Sequence, residues 1–210
     1  MLVKHRFATV AAGCALVLTG SALGVSAAAA HPSTAAHPVS KHHPAKLIVF
    51  TGGVTTLKLA SATASALSSH GVSVAPASEA KVVSSGIAFP IQGGLINAKS
   101  LAGSITHDGG LTFTAGGKTL TIRDFTVNTV TGSLTGYADQ AAARIKILDL
   151  SLRKAKVAAS RHTLAVSNIT ATLDAAAAKA LNQYFSTTLF SKGLPIGTVR
   201  VSAKTRELTN

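Results

Sequence analysis

Sulfur is nearly absent from this chain. Among 210 residues there is one cysteine, Cys14, and one methionine, Met1. A single cysteine excludes an intramolecular disulfide framework and a zinc site built from several thiolates. A folded domain must therefore be held by an ordinary apolar core, and the chain is long enough for one such domain.

Aromatic and acidic residues are also scarce. There is no tryptophan, and the tyrosines are Tyr137 and Tyr184 alone, which disfavours modules that stack sugars or nucleic-acid bases on aromatic rings. The 7 acidic residues form no motif for paired acid–base catalysis, and no nucleophile elbow, P-loop or dinucleotide fingerprint is present. We therefore predict that the protein is not an enzyme and does not bind nucleic acid.

The first thirty residues have the layout of a secretory signal peptide. Lys4, His5 and Arg6 precede an apolar run over residues 7–25, and four alanines at 27–30 supply a small-residue cleavage site. We predict cleavage near Ala30, no transmembrane helix in the mature form, and a secreted protein at or near the cell surface.

Two alternatives use the same segment. Residues 7–30 are just long enough to span a membrane as a retained anchor. Cys14 follows Gly13 as in a lipoprotein, but it lies early in the apolar run and Ala11 stands where a lipobox prefers Leu or Val. The simpler interpretation is that Cys14 is a small apolar residue of the signal peptide.

A short linker follows the signal peptide. Residues 31–46 read HPSTAAHPVSKHHPAK, with three prolines and four histidines, a composition that cannot build a core and is typical of disordered segments. Its imidazoles suit zinc, copper or nickel, but a polar spacer is the simpler interpretation. We place a single β-rich domain at residues 47–207.

The clearest local pattern in that domain is a hairpin. Leu111, Phe113, Leu120 and Ile122 flank Gly116-Gly117, and two glycines supply the positive φ angles of a tight hairpin turn. The turn places Phe113 opposite Leu120 and Leu111 opposite Ile122. We therefore expect all four side chains on one buried face.

The alternation of apolar residues shifts by one position at two places. These shifts predict β-bulges or bends at Arg123-Asp124 and at Ile147-Leu148. Short helices are predicted over 61–70 and over 175–185, the second capped by Asp174. Many short strands without βαβ alternation indicate a mainly β fold, an antiparallel β-sandwich or barrel-like domain with two short helices.

Positive charge dominates the sequence. There are 20 basic and 7 acidic side chains, a formal net charge of +13, and such a field attracts polyanions. A local cluster contains Arg144, Lys146, Arg153, Lys154, Lys156 and Arg161. For an exported protein, the available polyanions are anionic cell-wall polymers and lipid head groups. The alternative is a solvated basic face that aids solubility.

Several blocks resemble a known family. They are the pattern G-x-I-x-H-x-G-G-L-x-F at 103–113, the strand before the Asp174-capped helix, and the turn Gly193-Leu194-Pro195. These features resemble the β-rich domain of secreted actinobacterial surface proteins related to the HtaA haem-uptake family. The resemblance implies a secreted, envelope-associated β-domain. Haem-binding members of that family use a tyrosine as iron ligand with a histidine nearby.

This resemblance makes a haem or metal carrier the alternative function. Haem iron takes Tyr, His, Cys or Met as axial ligand, which leaves Tyr137, Tyr184 or a histidine in the mature chain. His107 is the best placed because it lies in the resembling block, and we name His107 and Tyr137 as the candidate pair. Turn formation by His107-Asp108 before two glycines is the competing interpretation.

The sequence therefore predicts a non-enzymatic, cationic domain of the cell envelope that contacts anionic wall or lipid components. This main interpretation requires no cofactor. The alternative, a carrier of the HtaA type, requires haem.

Overall fold

The computed structural model describes residues 46–139 and 143–208. The predicted signal peptide at 1–30 and the linker at 31–46 lie outside the described residues, apart from Lys46. The described chain is mainly β and contains two helices, so the predicted fold class is confirmed.

The two helices interrupt a series of strands. The helices are α1 (Ser61–Ser69) and α2 (Ala175–Phe185). The strands are β1 (Leu47–Leu59), β2 (Ser73–Ala77), β3 (Lys81–Val83), β4 (Gly86–Asn97), β5 (Gly103–His107), β6 (Gly110–Ala115), β7 (Lys118–Asn128), β8 (Ser133–Ala138), β9 (Arg144–Ser151), β10 (Lys156–Ala159), β11 (Thr163–Leu173) and β12 (Pro195–Leu208).

Eight strands close into an antiparallel barrel. Strand β7 pairs with β5 along one edge and with β8 along the other, which completes the ring β7–β5–β4–β1–β12–β11–β9–β8. The remaining strands extend this wall: β6 and β2 continue from β7, β3 pairs with β4, and β10 pairs with β11. Of the two predicted architectures, the structure has the barrel.

Strand β12 shows why these sequences form the wall. Val199, Val201, Ala203 and Thr205 are buried and alternate with exposed Arg200, Ser202, Lys204 and Arg206. Because successive side chains of a strand point to opposite faces, this alternation places one set inside the barrel and the other in solvent.

The predicted hairpin is confirmed. Leu111 pairs with Ile122 and Phe113 with Leu120 across β6 and β7. Gly116 and Gly117 form the turn at φ of 56° and 74°, angles that glycine adopts readily. Three of the four apolar side chains are buried and Phe113 is half-buried.

Both predicted bulges are confirmed. The register between β7 and β8 shifts between Arg123 and Thr126, where Asp124 has φ of 57°. The register between β8 and β9 shifts so that Ile147 is the unpaired extra residue. These bulges change which residues face inward partway along β7 and β9.

The helices lie close to their predicted positions. Helix α1 ends at Ser69, one residue before the predicted end, and Gly71 follows with φ of 67°. At the start of α2 the Asp174 carboxylate accepts a hydrogen bond from the Ala176 backbone N–H at 2.8 Å, as expected for an N-cap. Buried Ala177, Ala178 and Leu181 pack α2 against the barrel.

No helix within the described residues is long and apolar enough to cross a membrane.

Candidate ligand-binding site inside the barrel

The imidazole of His107 lies inside the barrel. His107 is the last residue of β5, and it faces inward together with Ile105, two positions earlier. Its residue surface is only 4% exposed. A histidine this deeply buried needs partners for its ring nitrogens, because burying an unpaired polar group is costly.

Both ring nitrogens of His107 have partners. Nε2 lies 2.7 Å from the Thr55 hydroxyl oxygen, and Nδ1 lies 3.4 Å from the Phe125 carbonyl oxygen. A carbonyl oxygen only accepts, so Nδ1 carries the proton and donates. In the neutral ring Nε2 then accepts from the Thr55 hydroxyl, which assigns the tautomer.

Burial keeps this imidazole neutral. Desolvation lowers the pKa of His107 from 6.5 to about 4, and the hydrogen bond to the Phe125 carbonyl opposes only part of that shift. At neutral pH, His107 therefore presents an Nε2 lone pair to its surroundings. That is the form of histidine that coordinates metals.

His107 lies between two cavities. A lower cavity of about 100 Å³ lies towards the helices and is lined by apolar side chains that include Phe89, Phe125 and Leu181. An upper cavity of about 270 Å³ lies towards the opposite barrel end. Both cavities share Thr55, His107, Val127, Leu150 and Val199, so the Thr55–His107 pair forms part of the partition between them.

The upper cavity reaches the surface beside the turn between β9 and β10. Leu152, Ala155 and Val157 line it, and Leu152 and Val157 are 42% and 48% exposed. The turn is closed by a hydrogen bond from the Ala155 N–H to the Leu152 carbonyl at 2.9 Å. The lining side chains beside this turn are thus apolar although they meet solvent.

Two braced loops also line the upper cavity. Leu101, between β4 and β5, lines the upper cavity and has φ of 57°, a strained conformation for a bulky residue. The Thr129 hydroxyl donates to the Leu101 carbonyl at 2.6 Å, and the Thr129 hydroxyl oxygen accepts from the Gly103 N–H at 2.8 Å. These bonds hold Leu101 against the cavity.

Tyr137 lies on the other side of the barrel wall. It is 36% exposed, whereas its neighbours Gly136 and Ala138 are buried. The Arg144 guanidinium lies 4.5 Å from the centre of its ring, a cation–π contact. The structure therefore does not bring Tyr137 and His107, the two candidate ligands, together.

Tyr184 is also engaged elsewhere. Its hydroxyl donates to the Thr119 carbonyl at 2.6 Å, and the Lys118 ammonium donates to the Tyr184 carbonyl at 2.7 Å. These contacts join the β6–β7 hairpin to the C-terminal end of α2. They identify Tyr184 as a packing residue.

The six residues of the basic cluster divide into two groups. Arg144 donates to the Asp124 and Thr135 carbonyls, and Lys146 pairs with Asp149 at 2.6 Å and Asp174 at 3.1 Å. The other four are exposed in or near the turns that flank β10: Arg153, Lys154, Lys156 and Arg161.

Sequence reasoning found His107 but missed the residues that complete its surroundings. Thr55 lies 52 positions earlier, and no local signal connects the two. In residues 46–139 and 143–208, no three side chains of His, Cys, Asp or Glu come together as a metal site.

Comparison with known proteins defines the class of fold. The sequence matches no family model and no curated protein. The chain is a closed antiparallel barrel with two helices, and a solved structure of similar fold covers 75% of it.

The similar structures include the C-terminal domain of HtaA from Corynebacterium glutamicum. It has a TM-score of 0.57 at 15% identity and covers 75% of this chain and 99% of that domain. A domain-swapped dimer of a variant of the same domain gives 0.48 at 17% identity, covering 70% and 94%. The haem-binding protein HtaB from the same organism gives 0.44 at 9% identity, covering 78% and 98%. The resemblance to HtaA predicted from sequence is thus confirmed for the fold.

Proposed function

We propose that this chain is a secreted, non-catalytic ligand carrier of the cell envelope and that its ligand is haem, held through His107. The observation that carries the proposal is the position of His107 Nε2, which lies at the junction of two apolar cavities in a neutral imidazole. The resemblance to the haem-uptake family supports haem as the ligand.

Of the candidate iron ligands Tyr137, Tyr184 and His107, the structure places only His107 at the cavities. Tyr137 lies on the outer wall and the Tyr184 hydroxyl is bonded to a backbone carbonyl, so neither reaches the cavities. His107 has its Nδ1 fixed by the Phe125 carbonyl, which orients a ring so that its other nitrogen can bind a metal. The competitor at Nε2 is the Thr55 hydroxyl, which can rotate away.

The chain would contribute two things to a bound haem. His107 would hold the iron through Nε2, and the apolar cavity walls would exclude water from it. The upper cavity of about 270 Å³ is slightly below the usual range of roughly 300–1,000 Å³ for ligand pockets, so in this proposal the turn at 152–155 moves outward when haem binds. The haem itself supplies an iron centre that the protein carries.

A haemin titration of the mature protein tests this proposal. We expect a Soret shift that saturates at one equivalent and is lost in His107→Gln, which retains hydrogen-bonding groups inside the barrel. His162→Gln, at an exposed histidine, is the matched control and should bind normally. Thermal melts of both variants report whether the barrel is folded.

Two results would overturn the assignment of the ligand. A saturable shift that persists in folded His107→Gln would show that His107 does not hold the iron. Loss of binding in Tyr137→Phe, with normal binding in His107→Gln, would move the site to the outer wall.

We also propose a second function, contact with anionic wall polymer or lipid head groups. Arg153, Lys154, Lys156 and Arg161 are exposed, and residues 150–173 contain no acidic side chain. A surface with one sign of charge attracts polyanions over about 8 Å at physiological ionic strength.

A further inference from the structure

We propose that the upper cavity binds the alkyl chain of a single-chain anionic amphiphile, such as a fatty-acid carboxylate, with its head group at the turn between β9 and β10. This site shares the barrel interior with the proposed haem site. It requires neither iron nor the His107 nitrogen, so it goes beyond the proposed function.

The inner part of the cavity is suited to an alkyl chain. Apart from the Thr55–His107 pair at its inner end, its lining is apolar and includes Phe50, Ile96, Ile105, Leu164, Val166 and Ile169. Eight-stranded barrels can enclose one small ligand. An apolar cavity of roughly 150 Å³ in another protein stays dry and binds apolar molecules, and this one has about 270 Å³.

The mouth continues the apolar surface out to solvent. Leu152 and Val157 line the cavity and are nearly half exposed. Water meets these side chains when the cavity is empty, and a chain that enters between them would cover them. An elongated apolar ligand therefore buries more surface here than a compact one of the same inner volume.

Basic residues directly adjoin lining residues of that opening along the chain. Arg153 and Lys154 are the central residues of the turn that the Ala155 N–H closes onto the Leu152 carbonyl, and exposed Lys99 precedes Ser100, which also lines the cavity. The neighbouring carboxylate, Asp149, already pairs with Lys146 at 2.6 Å. The rim thus favours an anionic head group on a ligand whose chain lies in the cavity.

Calorimetric titration of the haem-free mature protein with carboxylates of increasing chain length provides the test. Because each buried methylene contributes about 0.8 kcal/mol, affinity should rise about fourfold per added CH₂. The rise should stop when the cavity is full. Alcohols of the same chain length should bind more weakly, and this difference should shrink at high salt. Equal affinity for acid and alcohol would overturn the assignment of the head group.

Three variants locate the site. Leu164→Trp fills the inner cavity and should abolish binding of the amphiphile. Val157→Asp places a carboxylate at the exposed rim without disturbing the core and should also reduce binding. The double variant Arg153→Ser/Lys154→Ser should lower the affinity for the carboxylate but not for the alcohol. The control Lys192→Ser, outside the cavity lining, should change neither affinity. Normal affinity in both folded Leu164→Trp and Val157→Asp would refute the site.

The two proposals fail separately. Binding of carboxylates without any haem signal would leave this inference standing and remove the haem proposal. Haem binding without any heat from carboxylates would remove this inference and leave the haem proposal standing.

Discussion

The hydroxyl of Thr55 on β1 lies 2.7 Å from Nε2 of His107 on β5, inside the barrel. Strand β4 separates these two strands in the sheet, so the bond crosses the inner face of β4. It satisfies the imidazole and also occupies the nitrogen that a metal would need. Stability and ligand binding therefore compete for the same lone pair.

Removing the Thr55 hydroxyl separates these two effects. We expect Thr55→Val to lower the free energy of unfolding by about 1–3 kcal/mol, because Nε2 is left buried without a donor. The same variant should bind haem about fivefold more tightly, since a hydrogen bond of about 1 kcal/mol no longer competes. Urea denaturation and haemin titration measure the two quantities.

Thr55→Ser is the matched control for that experiment. It keeps the hydroxyl and should stay near the wild type in haem affinity. If Thr55→Val instead binds haem less tightly than Thr55→Ser, the hydroxyl assists the ligand rather than competing with it, and the proposed role of Nε2 is wrong.

Stability should depend on pH through His107. Its pKa is about 4 in the folded protein against 6.5 ordinarily, so between these values the unfolded chain binds a proton that the folded chain does not. The free energy of unfolding therefore falls as pH decreases from 6.5 to 4, by up to about 3 kcal/mol. His107→Gln should remove this part of the dependence.

Urea denaturation of both proteins at several pH values in that window makes the measurement. The difference between the two curves isolates His107 from the carboxylates, which titrate in both proteins. A difference that stays constant from pH 7 to pH 4 would show that the imidazole is accessible to protons in the folded state.

Local features of the fold were predictable from sequence because they depend on neighbouring residues. The glycine pair at 116–117 fixes its hairpin, and Asp174 fixes the start of α2. The shift of alternation at Ile147 located a bulge. Closure of the ring by β5 and β8 on β7 depends on distant register, so sequence left sandwich and barrel as alternatives.

The candidate site was predictable only in part, because it joins residues that are distant in the sequence. Alternation along β5 already places His107 on the same face as Ile105. The turn predicted after His107 is also present, with Gly109 at φ of 86°. Alternation along β8 also places Tyr137 outward, between buried Gly136 and Ala138. Applied to both strands, this rule separates the two candidate ligands. The partner Thr55 required the fold itself.

The N-cap of α2 provides a test of the helix independent of any ligand. Asp174→Ala removes the acceptor for the Ala176 N–H and should lower the free energy of unfolding by about 1 kcal/mol. Asp174→Asn retains a capping oxygen but loses the charge that faces Lys146 at 3.1 Å. Asn should therefore restore most of the stability in denaturant titrations. Equal losses in the two variants would assign the effect to the ion pair instead of the cap.

Retention on isolated cell walls tests the proposed electrostatic contact. Reversing Arg153, Lys154, Lys156 and Arg161 to glutamate should abolish retention at low salt, because these four side chains are exposed and their attraction acts through solvent. Raising the salt should release the wild type progressively, since added ions shorten the range of the field to about 3 Å at 1 M. A matched reversal at Lys58, Lys81, Lys179 and Lys192, away from β10, changes the net charge equally and should reduce retention far less. Equal loss of retention in both quadruple variants would mean that net charge, and not this surface, determines wall binding. Retention that does not change with salt concentration would refute the electrostatic contact itself.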